Sequence, residues 1–205
     1  MTELFISALI TFFVAIDPPG CAAIYASMTT DATPAQRRTM AFRAIFVSAI
    51  ILLVFGFFGE ALLTAIGVSL DSFRIAGGIM LFIIALEMVF EKRTERREGR
   101  AQEIIDTPEI EDVSIFPMAM PMIAGPGSIA ALMLYIGRAE TMAEQWIVLA
   151  AVGVILFVML LSMLLAGPLM KIMGQKVETV ITRVLGVILA ALAIQFVVDG
   201  LKASF

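Results

Sequence analysis

The 205-residue chain contains no histidine, one cysteine (Cys21), one tryptophan (Trp146) and two tyrosines. The missing histidine removes the side chain most used as a general base and metal ligand near neutral pH. A lone cysteine excludes an intrachain disulfide framework. Charge is scarce as well: Asp, Glu, Lys and Arg make up only 16% of the residues, and the net charge is −4. A balance this weak gives no footing for nucleic acid. With neither a metal-ligand spacing nor a paired-carboxylate motif, the chain reads as a non-enzyme that needs no cofactor.

What is abundant is apolar surface. Hydrophobic residues are 60% of the chain and the mean hydropathy is +1.00, against roughly 45–50% apolar residues in soluble domains. A soluble core of this size cannot hide such an excess, so lipid must solvate much of the molecule. About 20 apolar residues cross the hydrocarbon layer as a helix. Six runs qualify, near 4–28, 41–66, 73–90, 115–136, 145–170 and 180–201. The Met1-Thr2-Glu3 start lacks a basic leader, so the first run is read as a retained span. The expectation is an all-α membrane protein of six transmembrane helices.

The polar stretch Glu91–Asp112 divides the runs three and three. This gives a first three-helix unit over 1–90, a linker over 91–113 and a second unit over 114–205. The linker carries Lys92, Arg93, Arg96, Arg97 and Arg100 among eight acidic residues, and its plainest reading is a solvated cytoplasmic connection. Across six spans, Arg74, Arg138 and Lys202 fall on one side and the other eleven of the 14 basic residues on the opposite side. Positive charge marks the cytoplasmic face. Both termini are therefore expected outside, in the periplasm of a bacterial inner membrane.

The two units share motifs. Ile16-Asp17-Pro18-Pro19-Gly20-Cys21 in the first run matches Ile123-Ala124-Gly125-Pro126-Gly127-Ser128 in the fourth, 107 residues on. Arg74-Ile75-Ala76-Gly77-Gly78-Ile79 matches Arg183-Val184-Leu185-Gly186-Val187-Ile188, 109 residues on. Because each unit has an odd number of spans, the second enters the bilayer from the opposite face. This is an inverted repeat, as in many secondary transporters.

Proline removes a helical hydrogen bond and clashes with the preceding turn, so helices 1 and 4 should break at Pro18-Pro19-Gly20 and Gly125-Pro126-Gly127. Pro117 and Pro121 weaken the fourth further. Each break opens a helix N-terminus whose bare N–H groups suit an anion. Asp17, an ionisable group inside an apolar run, is the sharpest residue. It accepts a substrate ammonium, binds a coupling proton or cation, or caps the half-helix that follows it. The candidate binding set is Asp17, Pro18, Pro19, Gly20, Cys21, Gly125, Pro126, Gly127 and Ser128, with Ser128 offering a hydroxyl to the solute. Glu60 and Glu87 read as interfacial, Gln195 as a hydrogen-bonding group between helices, Tyr135 and Trp146 as interface anchors, and Gly56, Gly59, Gly77, Gly78 and Gly153 as helix-packing sites.

Asp17-Pro18-Pro19-Gly20, Arg74-Ile75-Ala76-Gly77-Gly78, Pro121-Met122-Ile123-Ala124-Gly125-Pro126-Gly127-Ser128-Ile129 and Val198-Asp199-Gly200-Leu201 resemble the MarC family of integral membrane proteins, over essentially the whole chain. The resemblance implies six spans, kinship with LysE-type exporters and, from some relatives, carriage of small neutral amino acids such as glycine and alanine. Together these readings give a secondary transporter of a small solute, most simply a neutral amino acid, working between broken helices 1 and 4. The alternative is a structural or accessory membrane protein that carries nothing. The expected partners are the solute, a coupling proton or cation, membrane lipid and a second copy of the chain in a homo-oligomer.

Overall fold

The computed structural model describes residues 1–105 and 112–204, and among these the chain is helical with no strand. The helices are α1 (Thr2–Ile16), α2 (Pro18–Met28), α3 (Pro34–Ala65), α4 (Leu70–Val89), α5 (Lys92–Ile105), α6 (Pro126–Ile136), α7 (Met142–Leu164) and α8 (Ala166–Ser204). Between α5 and α6 runs an irregular segment, Ser114–Ile123, wound in wide turns. Amides there donate to carbonyls five residues back, as from Met118 to Val113 and from Ala124 to Ala119. The cause is local: Pro117 and Pro121 lack the donors a regular helix needs, and Phe116 and Met120 before them are extended, as residues before proline prefer. The linker residues Asp106, Glu109 and Glu111 lie outside the described residues.

Among the described residues, five helical stretches are long and apolar enough to cross a membrane: Thr2–Met28, Pro34–Ala65, Leu70–Val89, Met142–Leu164 and Thr179–Ser204. A sixth forms if Ser114–Ile123 and Pro126–Ile136, bent by 51° to one another, count as one. Large apolar side chains are exposed along them, including Phe46, Phe58, Ile83, Phe157 and Val187. An apolar surface this extensive suits lipid and not water. Trp146 is exposed at the start of α7. Local signals set the helix ends: Thr33 and Gln36 form a reciprocal capping box ahead of α3, and Ser69 and Thr141 cap α4 and α7.

α6 sits at the centre, against α1, α3 and α4, while α4 and α8 make the most extensive helix pair. Small residues permit that approach. A Cβ on Gly78 would lie 2.8 Å from the Ala193 carbonyl oxygen, and one on Gly186 would lie 2.9 Å from Met88 Cβ. Gly56, Gly59 and Gly77 give room to Leu132, Met133 and Leu134 of α6. Gly153, read from the sequence as a packing site, has nothing within 4 Å of where its Cβ would be. Gly78→Val should separate α4 from α8 at a cost of about 1–3 kcal/mol, seen as a lower unfolding midpoint in detergent. An unchanged midpoint would show that the pair tolerates a wider spacing.

Two further residues depart from their sequence reading. Tyr135 is buried, not interfacial: its hydroxyl meets Ser7 Oγ at 2.7 Å and Thr11 Oγ1 at 2.9 Å, and its ring packs on Phe12 and Phe196. An amphipathic ring is equally at home in a core when its hydroxyl finds partners there. Gln195 bonds within its own helix, donating to Asp199 at 2.7 Å.

Candidate functional site

The α1–α2 junction is built around Asp17. Two prolines follow it, so the helix cannot run through, and Asp17 adopts the left-handed conformation with φ 60° and ψ 67°. That conformation is rare outside glycine, but Asp and Asn tolerate it better than most. Pro18 and Pro19 bring no amide, leaving Gly20 N–H as the open donor of the first turn, and Asp17 Oδ1 accepts it at 3.3 Å. Gly20 has to be glycine: a Cβ there would lie 2.4 Å from Asp17 Oδ2. The same carboxylate accepts a hydrogen bond from Arg97 of α5 at 2.9 Å, with Asp17 3% and Arg97 11% exposed. Asp17 thus caps α2 and is ion-paired.

Ending α1 at Ile16 also leaves its last carbonyls without helical donors. Arg93 of α5 fills that need, donating to Ala15 O at 2.5 Å and to Val14 O at 3.4 Å. Burial and the neighbouring Arg97 charge lower the Arg93 pKa to about 10, which leaves the guanidinium charged at neutral pH. The front of the linker is therefore a docked helix, α5, with two arginines inserted at the α1–α2 junction. Sequence reading took these charges as solvated because a charge run usually is. The signal available was complementarity, a buried carboxylate and bare carbonyls awaiting a cation. At the far end of the linker, Asp112 accepts from Ser114 N–H at 2.9 Å and from Arg43 at 2.5 Å. Burial pushes its pKa up, but the Ser114 hydrogen bonds and Arg43 outweigh that and hold it below the usual value.

The second junction is laid out similarly but is left open. Gly125 precedes α6, Pro126 is its first residue, and no side chain caps its N-terminus. Cys21 Sγ donates to Ile16 O at 3.2 Å, and Ser128 Oγ lies 2.7 Å from Ile123 O, so both side chains reach a carbonyl five residues back. Ser128 Oγ is also 3.0 Å from Gly125 O. Its hydroxyl proton is shared between these two backbone carbonyls. The N-cap position is held by Asp17 at α2 and by Gly125 at α6, while the motif alignment sets Ala124 opposite Asp17. Neither Gly125 nor Ala124 can supply a carboxylate.

In front of that uncapped head lies a cavity of about 340 Å³. Gly125, Pro126, Gly127 and Ser128 form one wall, and Glu87 of α4 with Arg93, Arg96 and Arg97 of α5 form the polar part of another. Ala15, Met80, Ile83 and Ile84 supply apolar lining. Arg96 is ion-paired with Glu87, whose side chain is 16% exposed. Asp17, Pro18, Pro19, Gly20 and Cys21 are not among the lining residues. The structure thus brings the second motif, α5 and Glu87 together at one cavity, and ties Asp17 of the first motif to Arg97 of α5. Glu87, read from sequence as interfacial, belongs to the cavity. Among the described residues no three His, Cys, Asp or Glu side chains gather as metal ligands. Chemically, the cavity presents amide dipoles and guanidiniums to an anionic group, with one carboxylate opposite.

The fold defines an all-helical membrane protein with five helices, or six with the bent pair, long and apolar enough to span a membrane among the described residues. Residues 2–205 match the MarC family of integral membrane proteins, and the chain belongs to that family. It is 32% identical over 202 residues to a UPF0056 membrane protein of Methanocaldococcus jannaschii, covering 98% of each chain. It is 33% identical over 196 residues to the UPF0056 membrane protein YhcE of Escherichia coli, covering 96% of this chain and 91% of the relative. No solved structure matches it.

Proposed function

We propose that this protein is a secondary transporter, not an enzyme, that carries a small carboxylate-bearing solute, a neutral amino acid, across the bacterial inner membrane. The observation that carries the reading is the cavity where the uncapped N-terminus of α6 faces the guanidiniums of α5. Irregular backbone at membrane depth is tolerated where it lines a protein cavity, and helix N-termini in such places bind anionic groups. The solute carboxylate meets the amides of Gly127 and Ser128, which have no capping side chain.

The matched bonds of Cys21 and Ser128 support the inverted repeat and its two Pro-Gly breaks. With both termini periplasmic, α5 lies on the cytoplasmic side. There its docking through Arg93 and Arg97 closes one approach to the cavity, and its release opens it. Asp17, held by Gly20 and Arg97, serves this closure. The coupling proton or cation then acts by competing for the same ion pairs. Gly125 and Gly127 are the flexible points about which the second unit moves against the first.

Purified full-length protein in proteoliposomes should give saturable uptake of labelled glycine or alanine, and Gly127→Phe, which fills the cavity wall, should abolish it. A correctly folded protein that moves no amino acid while co-purifying with another membrane protein at fixed stoichiometry would replace this reading with the accessory one.

A further inference from the structure

The arginines outside α5 fall into two groups. Arg43, Arg74, Arg138 and Arg183 are each paired with a carboxylate. Arg37 and Arg38 form no ion pair among the described residues. Both line one cavity of about 330 Å³, where the end of α2 and the start of α3 meet the corner between α7 and α8. None of its described lining residues is acidic, so two positive charges border it with no carboxylate facing them. Arg37 is fixed in place. The buried Tyr25 hydroxyl donates to its carbonyl, and its own guanidinium donates to Ala32 O at 3.2 Å and to Thr30 O at 2.8 Å. A guanidinium has more donors than those two bonds use, so Nη1 stays open to a ligand. Arg38 lies over the Phe42 ring, 5.7 Å from its centroid, a stack that orients the charge.

Where the cavity sits decides what brings the anion. It lies at one end of the apolar stretches Pro34–Ala65 and Met142–Leu164, the level of the phospholipid head groups. Its far wall is apolar, with Leu164 and Pro168. Phe42 and Phe46 along α3 are exposed, as are Leu161 and Leu165 at the end of α7, so apolar surface continues from the cavity toward the membrane interior. A free oxyanion gains from the arginines alone. A phospholipid gains twice, with its phosphate on the guanidiniums and its acyl chains on the phenylalanines. A zwitterionic head group brings its own ammonium to two unpaired cations, whereas an anionic one neutralises them. Basic pockets between membrane helices hold anionic head groups in this way. We propose that the cavity binds the head group of an anionic phospholipid, its phosphate held by Arg37 and Arg38. The bound lipid joins α2 and α3 to the α7–α8 corner. The site shares no lining residue with the α6 cavity and stands whatever that cavity carries.

The test is titration of the purified full chain in neutral detergent, read by native mass spectrometry and by thermal melting. The probes are dioleoyl phosphatidylglycerol, dioleoyl phosphatidylcholine and inorganic phosphate. Wild type should prefer phosphatidylglycerol over phosphatidylcholine by about tenfold or more, and should melt higher with it. Inorganic phosphate should not raise the melting point. Arg38→Gln should weaken phosphatidylglycerol binding about fivefold, the worth of one basic residue at an anionic lipid. Arg37→Gln combined with Arg38→Gln should erase the preference. Arg43→Gln, on the same helix but paired with Asp112, should keep it. Arg37 also holds loop carbonyls, so a double variant that fails to fold leaves the decision to Arg38→Glu, whose side chain is exposed and bonds to no described residue. Wild-type preference in folded Arg38→Glu overturns the proposal. So does equal binding of the two lipids by wild type, or an Arg43→Gln loss as large as that of Arg38→Gln. Inorganic phosphate matching the effect of phosphatidylglycerol would give the cavity to a free anion and overturn the lipid reading.

Discussion

Asp17→Ala should destabilise the protein by about 3–5 kcal/mol, the usual cost of removing one member of a buried ion pair. Arg97, itself nearly buried, would lose its ion pair with Asp17. The loss of the α2 cap adds to this, typically by about 1 kcal/mol. Asp17→Asn separates the two contributions. Asparagine keeps a cap acceptor for Gly20 N–H and tolerates the left-handed backbone at φ 60°, so only the charge is lost. Its unfolding midpoint should fall between wild type and Asp17→Ala. The double variant Asp17→Asn with Arg97→Gln should recover part of the loss, since the two residues interact directly and their effects are not additive. The same double variant decides what Asp17 does in transport. If it retains alanine uptake, the carboxylate fastens α5 and is not a coupling site. Lost uptake with an intact fold would return Asp17 to the role of ammonium or proton acceptor.

The second large effect is expected at Gly125. A Cβ there would lie 2.2 Å from the Pro121 carbonyl oxygen. The opposing atom is backbone, held in a segment that Pro117 and Pro121 already constrain, so no side chain can swing aside to make room. Gly125→Ala should therefore cost about 1–3 kcal/mol or more and abolish uptake, because the cavity wall it belongs to is displaced. The control is Gly153→Ala. That position lies inside α7 with nothing within 4 Å, and the added methyl should stabilise by about 0.5–1 kcal/mol through the lower entropy of the unfolded chain. Parallel thermal melts of the two variants check both signs. Equal melting of the two would mean that the turn before α6 has room the geometry denies.

The backbone irregularity around Pro117 and Pro121 has a local covalent cause. Pro18 and Pro19 lack amide hydrogens whatever surrounds them, and residues before Pro117 and Pro121 are pushed from the helical region by the ring alone. The number and length of the apolar runs were legible for a similar reason, since hydropathy is a property of residue type. The partners of those interruptions were not legible. Arg93 and Arg97 sit in a charge run with no apolar periodicity of its own, and nothing local distinguishes them from Arg96 or Lys92. Tyr135 was misplaced for the same reason: an amphipathic ring near the end of a run suits an interface, and only Ser7 and Thr11 on α1 make it a core residue.

The sequence by itself determined that the protein is a helical membrane protein with several apolar spans. Tertiary structure decided which junction is sealed and which is open. At the first, the carboxylate and the α1 carbonyls are claimed by α5; at the second, a cavity remains between α6 and the Glu87–Arg96 pair. The reason is that a bare amide or carbonyl is a consequence of the residues beside it, whereas the charge that satisfies it arrives from about 80 residues away, along a path set by how the helices pack.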